Sequence, residues 1–195
     1  MPSPPSREIP LLGRALLGLL QQGESSGYDI RRLFTQTPMG TFSDSPGAIY
    51  PALARLEKEG LIQGRNERSA GLRQRRIFRL TAAGRAALEA WLAATVTRDD
   101  VVRGSNELML RFGFIETTLG EAEAVRFLQA LRREVTGYVA ELRRYVDAAG
   151  GNMPRSGRLA LDFGIRSYDA LLQWSGQALT AYGKYQKDRK EKRRS

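Results

Sequence analysis

Six arginines stand between residues 65 and 79: Arg65, Arg68, Arg73, Arg75, Arg76 and Arg79, against the single acid Glu67. A guanidinium carries its N–H donors in a planar fork and stays charged at any physiological pH, so a row of them suits phosphate oxygens. A second cationic run closes the chain, where Lys184, Lys187, Arg189, Lys190, Lys192, Arg193 and Arg194 meet only Asp188 and Glu191. Together these two segments account for the formal net charge of +10. A surplus of that size points to a polyanionic partner, either nucleic acid or an acidic membrane surface. The run at 184–195 has almost no apolar residue and reads as a frayed, solvated basic tail. The 65–79 cluster lies between periodic elements, so a fold must display it.

The chain holds no Cys and no His. That removes thiol nucleophiles, disulfides, Cys/His metal sites and imidazole bases. The carboxylates form no recognisable acid/base pair, and neither a Gly-Lys-Ser/Thr phosphate loop nor a Gly-x-Ser-x-Gly elbow occurs. Binding rather than catalysis is expected, with no cofactor and no metal. At 195 residues and 42% hydrophobic content the chain can build a packed core in one large or two small domains. The apolar run from Ile9 to Leu20 is broken by Gly13, Arg14 and Gly18, short of the ~18–20 residues a membrane span needs. The start, Met1 to Ser6, does not read as a signal peptide, and a cytoplasmic location is expected.

The elements that would position the arginines follow from periodicity. Residues 1–8 are rich in Pro and Ser and read as disordered. Apolar residues at 9, 12, 16, 19 and 20 make a helical stripe over Ile9–Gln22. A turn at Gly23–Gly27 precedes a second helix, Tyr28–Thr37, with Ile30, Leu33 and Phe34 at helical spacing. Ser45 before Pro46 signals the start of a third helix, which buries Ile49, Leu53 and Leu56 and ends at Gly60. Pro51 sits past the expected first turn, so a local irregularity is expected there. Leu61-Ile62 and Ile77–Leu80 are β-prone runs around a polar link at 66–73, which reads as a hairpin. Thr81 can cap a fourth helix over Ala82–Val96. Three helices followed by a two-stranded ribbon is the order of a winged helix-turn-helix.

The second half reads as helical throughout: Asn106–Thr118, Glu121–Ala149, a break at Gly150–Pro154, and a last long helix. Val125, Leu128, Leu131, Val135, Tyr138, Leu142 and Tyr145 recur at intervals of three or four. Leu161, Ile165, Tyr168, Leu172, Leu179 and Tyr182 keep a near-heptad frame on the last helix. A seam repeating every 3.5 residues suits packing on another long helix. The partner is either the other helix of the same chain or a second subunit. The second subunit is favoured, because two helices alone would leave much Phe, Trp and Tyr surface in water. The expected seam of that homodimer is Val125, Leu128, Leu131, Val135, Tyr138, Leu142, Ile165, Tyr168 and Leu172. The expected organisation is mainly α with a small β-hairpin wing: disordered 1–8, a winged-helix unit 9–98, a helical dimerisation unit 99–183, and the tail 184–195.

The third helix reads Pro46-Gly-Ala-Ile-Tyr-Pro-Ala-Leu-Ala-Arg-Leu-Glu-Lys-Glu-Gly-Leu-Ile62. Together with Ser26-Gly-Tyr-Asp-Ile30 and Arg75-Arg-Ile-Phe-Arg-Leu-Thr-Ala-Ala-Gly84, this resembles the PadR family of bacterial transcriptional regulators over residues 10–92. Glu107–Phe112, Leu161–Tyr168 and Trp174 resemble the dimerisation helices of its longer subfamily. Two departures stand out. Ile77 and Phe78 occupy positions where the family has adjacent tyrosines, and Gln74 stands where Pro is common.

The resemblance implies a cytoplasmic homodimer on double-stranded DNA, repressing from an inverted-repeat operator and released by a small phenolic or flat hydrophobic effector. Trp91, Phe112, Phe114 and Trp174 could line a pocket for it, with ordinary core packing the blander reading of each. The expected DNA-binding residues are Ser45, Gly47, Tyr50, Pro51, Arg55 and Lys58 on or before the third helix, and Arg68, Arg73 and Arg75 on the wing. Arg55 has an alternative partner in Glu59 one turn on, Tyr50 an alternative role closing the core, and Arg76 and Arg79 acids near the strand. On this reading Arg75→Ala flattens the salt dependence of binding by about one phosphate. An RNA-binding winged helix and a dimeric protein-interaction scaffold stay open as alternatives.

Overall fold

The computed structural model describes the backbone of residues 9–37, 46–68, 74–149 and 153–192, and the side chains of the same residues except 46, 68, 74 and 185–192. The chain divides into two units between Ala93 and Ala94, a few residues before the boundary expected at 98.

The first unit runs α1 (Leu11–Gln22), β1 (Ser25–Ser26), α2 (Gly27–Gln36), α3 (Ile49–Lys58), β2 (Ile62–Arg68), β3 (Gln74–Leu80) and α4 (Ala82–Ala93). The strands form an antiparallel sheet in the order β1-β3-β2. Leu16, Leu17, Ile49, Leu53, Ile62, Leu88 and Leu92 are fully buried at its centre. Each such side chain contributes about 1.5–3 kcal/mol of burial.

Local chemistry explains most boundaries. A 3-10 turn over Pro46–Ala48 leads into α3, so the regular helix starts only at Ile49. Pro51 then falls within the first helical turn, where a backbone N–H has no acceptor inside the helix, and its missing donor costs nothing. This is the form the expected irregularity takes. Gly60 (φ 73°) ends α3: its N–H donates to the Glu57 carbonyl and that of Leu61 to the Leu56 carbonyl, both at 2.9 Å. Thr81 caps α4, accepting from the Gly84 N–H at 3.0 Å and donating to the Gly60 carbonyl at 2.7 Å. Gly84 lies so close to the chain that a Cβ there would meet the Leu61 carbonyl oxygen at 1.9 Å.

Three expectations are corrected in this unit. Ser25-Ser26, read as a turn, is a strand held by pairing to Phe78 and Ile77. Both long strands run further than their apolar cores, because cross-strand hydrogen bonds from Ile62↔Leu80 to Arg68↔Gln74 carry the charged segments along. Helix α4 stops at Ala93 rather than Val96.

The second unit is helical: α5 (Arg98–Arg103), α6 (Ser105–Leu119), α7 (Glu121–Ala149) and α8 (Arg155–Lys192). Helix α5 escaped the sequence reading. It is started by Thr97, whose hydroxyl accepts from the Asp100 N–H while the Asp100 carboxylate accepts from the Thr97 N–H. Helices α7 and α8 are antiparallel, with Arg143 on Asp169 at 2.8 Å, the Tyr138 and Tyr168 rings 5.1 Å apart edge to face, and Arg132 on the Leu172 carbonyl and Ser175. Phe112 stacks on Phe127 and meets Trp174 edge-on, and Phe114 is buried, so these aromatics pack as core. Burial pushes the Tyr182 phenol up to about 12, helped by its 2.7 Å bond to Glu116.

The expected seam is partly enclosed within the chain. Leu128, Leu131 and Val135 are fully buried within this single chain. Tyr138, Leu142, Ile165, Tyr168 and Leu172 are half-buried, as is Val125. Part of the stripe thus closes the chain's own core, and the rest is only partly covered within the chain. The expected frayed tail also differs, since the backbone is helical as far as Lys192, in line with the helix propensity of Lys, Arg, Glu and Gln.

Leu128→Ala should therefore destabilise the chain by about 2–5 kcal/mol in denaturant titrations. Gln129→Ala, at an exposed position of α7, should stay within about 0.5 kcal/mol of the parent. Equal effects would contradict this packing.

Candidate nucleic-acid interface

Helix α3 separates its two faces cleanly. Ile49, Leu53 and Leu56 point into the core, while Gly47 before the helix and Tyr50, Pro51, Ala54, Arg55 and Lys58 along it stand in solvent. Tyr50 is 48% exposed, and the edge of its ring lies on Gly27 at the start of α2. A Cβ on Gly27 would meet Tyr50 Cε1 at 2.8 Å, so glycine is what lets this ring lie against α2. The side chain is thus half packed and half presented, between the two roles weighed for it. Arg55 takes the local partner, with Nε 2.9 Å from Glu59 Oε1. Lys58 has no acidic partner among the described residues.

The wing arginines are mostly engaged within the chain. Arg65 reaches Glu24 at 2.9 Å and Glu67 at 3.4 Å, and these two acids, Glu24 foremost, raise its pKa. Arg75 donates to Asp29 at 2.7 Å and to the Ser26 hydroxyl at 3.1 Å. Arg76 donates to both carboxylate oxygens of Glu57 at 2.8 Å. Arg79 meets a neutral amide, Gln63 Oε1 at 2.9 Å, and not an acid. For Arg75 this corrects the expectation of a guanidinium projecting from the wing. The pairing of β1 with β3 brings Ser26 opposite Ile77, and Asp29 in the first turn of α2 then lies within reach. Ser45 and Arg73 lie outside the described residues, and Arg68 is placed at the end of β2 by its backbone alone.

Two acids hold this arrangement. Ser26 caps α2: its hydroxyl accepts from the Asp29 N–H at 3.1 Å and donates to Asp29 Oδ2 at 2.7 Å. That hydroxyl, then the charges of Arg75 and Arg32, hold the Asp29 carboxyl below the usual range against a partial desolvation. The Glu57 carboxyl is lowered first by the Arg76 guanidinium and next by the Gly64 N–H, which donates at 2.8 Å. Among the described residues no three carboxylates come together to hold a metal.

On the neighbouring helix, α2 presents Tyr28, Arg31 and Arg32 to solvent. These were not singled out from the sequence, although Arg31-Arg32 falls on the side of α2 away from the buried Ile30 and Phe34. An exposed helix beside a basic ribbon, with one aromatic and a scatter of cations on its outer face, can present side chains to a groove of duplex nucleic acid and guanidinium or ammonium groups to its phosphates.

Residues 16–90 match the family model described as the transcriptional regulator PadR-like family. This segment belongs to that family. It is a family of regulators, not of enzymes. Among curated proteins the chain is 34% identical over 105 residues to the negative transcriptional regulator PadR of Bacillus subtilis, covering 54% of this chain and 57% of that protein. It is 52% identical over 44 residues to the transcriptional regulator Rv3488 of Mycobacterium tuberculosis, covering 23% and 40%. The chain thus spans little more than half the length, at most, of the curated relatives it matches. Solved structures of Bacillus subtilis PadR are also similar. The complex with operator DNA shares 25% identity at TM-score 0.45 over 90% of this chain and 99% of that one. The complex with p-coumaric acid shares 25% at 0.38 over 91% and 98%.

In this PadR-like unit Phe78, at one of the departing positions, is buried under the Arg76 guanidinium, 5.8 Å from its ring centroid. Its neighbour Ile77 pairs with Ser26.

The lowered carboxyls set a pH dependence. A depressed folded-state pKa contributes stability that is complete above the unfolded value near ~4 and disappears as pH falls through the folded value. Thermal unfolding of the parent should lose stability in acid below about pH 4. Asp29→Asn should be less stable at neutral pH and fall less steeply, so that the two curves converge in acid. Parallel curves would contradict the Ser26–Asp29–Arg75 arrangement.

Proposed function

We propose that this chain is a sequence-specific DNA-binding transcriptional regulator, a repressor that binds an inverted-repeat operator as a homodimer in the bacterial cytoplasm and is released by a small aromatic or hydrophobic effector. The observation that carries the reading is the outward face of α3, where Tyr50, Pro51, Ala54 and Lys58 are exposed within a PadR-like segment. Repression follows the name of the Bacillus subtilis relative, a negative regulator.

In this reading α3 enters the major groove. Gly47 and Pro51 keep its N-terminal end slim, so the backbone approaches the DNA closely. Tyr50, steadied by Gly27, packs on a thymine methyl or donates to a phosphate. Lys58, Arg31 and Arg32 supply phosphate contacts, joined by Arg68 and Arg73 from the wing. Few side chains here suit base edges, so half-site spacing and DNA shape carry much of the sequence choice.

For the homodimer surface the chain leaves Tyr138, Leu142, Ile165, Tyr168 and Leu172 of the seam half-buried, and further apolar residues of the helical unit are exposed. Leu159 and Phe163 are 60% and 75% exposed, and a spacing of four places them on one face of α8. With Tyr145 and Val102, also exposed, they offer the apolar area a second copy would cover.

Fluorescence anisotropy on duplex DNA from upstream of the gene tests the reading. The parent should bind with an affinity that falls steeply with salt. Tyr50→Ala should weaken binding by about 1 kcal/mol or more, and Lys58→Ala should reduce the salt slope by about one. Arg75→Ala should weaken binding with an unchanged slope, because its charge is already matched by Asp29. Preference for RNA, or no duplex binding at low salt, would overturn the proposal.

A further inference from the structure

We propose that Glu57 is a positioning residue, whose carboxylate clamps α3 to both long strands of the wing and sets the angle at which helix and wing meet one DNA site. This rests on the DNA-binding reading above. Three observations converge on the carboxylate. Its Oε1 accepts from the Gly64 N–H of β2 at 2.8 Å. Both of its oxygens accept from Arg76 Nη2 of β3 at 2.8 Å. Gly64 leaves the space in which they meet: a Cβ there would come within 2.6 Å of Arg76 Nε, 2.8 Å of Glu57 Oε1 and 3.1 Å of the Phe78 ring.

The placement of Glu57 runs against local preference. It stands in the last turn of α3, where the helix end carries partial negative charge and a carboxylate is unfavourable. A residue that breaks a local rule needs a compensating contact elsewhere, and Arg76 with the Gly64 N–H provides it. The geometry also constrains the alternatives. Arg76 gives Nη2 to both oxygens of Glu57, and its guanidinium lies over Phe78. Its guanidinium is thereby oriented toward α3, although the side chain stays 54% exposed. Glu57 follows the buried Leu56 and lies one turn beyond the buried Leu53, on the side of α3 that turns from the core toward the sheet. The outward residues Tyr50, Ala54 and Lys58 ride on the same short helix. Any rotation of α3 against the wing moves them relative to β2 and β3.

The test combines E57A, R76Q and the double variant with G64A, which crowds the clamp without changing any charge; alanine is chosen at 57 because a glutamine would keep a side-chain oxygen to accept the Gly64 N–H. Each is assayed as the full chain at a temperature where circular dichroism shows it folded. The Gly64 amide should lose hydrogen-exchange protection in E57A. Affinity for the preferred duplex should fall about tenfold in E57A, R76Q and G64A, by about 1.4 kcal/mol, and much less for an unrelated duplex. The salt slope should stay unchanged in R76Q, and the double variant should bind no worse than either single one. Retained Gly64 protection in E57A overturns the clamp, whatever the DNA result. Lost protection with unchanged preference between the two duplexes overturns its positioning role. Additive losses with a salt slope lower by about one in R76Q would make Arg76 a direct phosphate contact and also overturn it. Failure of the parent to bind any duplex, with Gly64 protection lost in E57A as expected, removes the DNA-binding reading and the role assigned here, while leaving the clamp as a contact.

Discussion

A guanidinium held at 2.7–2.8 Å by a carboxylate of its own chain is a poor free hand for a phosphate, and this constraint governs the wing. Arginine brings charge and geometry together, so a ribbon crowded with arginines repels itself unless acids are set among them. Here the acids come from elsewhere in the unit: Glu24 before β1, Asp29 in α2 and Glu57 in α3. Each pair is partly exposed and individually modest. Together they join a ribbon with little core of its own to the helices behind it. The cationic character offered outward then shifts from the middle of the strands toward Lys58 on α3, Arg31 and Arg32 on α2, and Arg79, whose partner is neutral.

This division of labour distinguishes affinity from geometry. Phosphate contacts supply salt-dependent attraction without reading sequence, whereas the relative placement of helix and wing decides which groove segments are met together. In the DNA-binding reading proposed above, pairing Arg75 and Arg76 internally commits two charges to the second task. The capping of α2 by Ser26 and the seating of Tyr50 on Gly27 belong to it as well, since both settle how α2 and α3 sit against the strands.

Much of this was legible in the residues. Helix α7 begins and ends where its periodicity says, because an acidic first turn and a glycine break frame a continuous apolar stripe. The end of α3 was equally plain, since Gly60 takes the left-handed turn that other residues resist. What stayed hidden depends on distance along the chain. Arg75 and Asp29 are 46 residues apart, and nothing in either neighbourhood announces the other. The two residues of β1 are too few to show alternation and exist only because β3 is there to pair with them. The heptad seam was legible as a period but not as a partner, because an apolar stripe fits a neighbouring helix of the same chain as well as one from another, and Leu128, Leu131 and Val135 are buried within this chain.

The central claim is that two copies of this unit grip one duplex. Hydroxyl-radical footprinting on the DNA upstream of the gene tests it most directly. The account predicts two protected segments on one face of the duplex, centred about 34–36 Å apart and related by the symmetry of an inverted repeat. A single protected segment, or cleavage unchanged along the whole fragment, would contradict it.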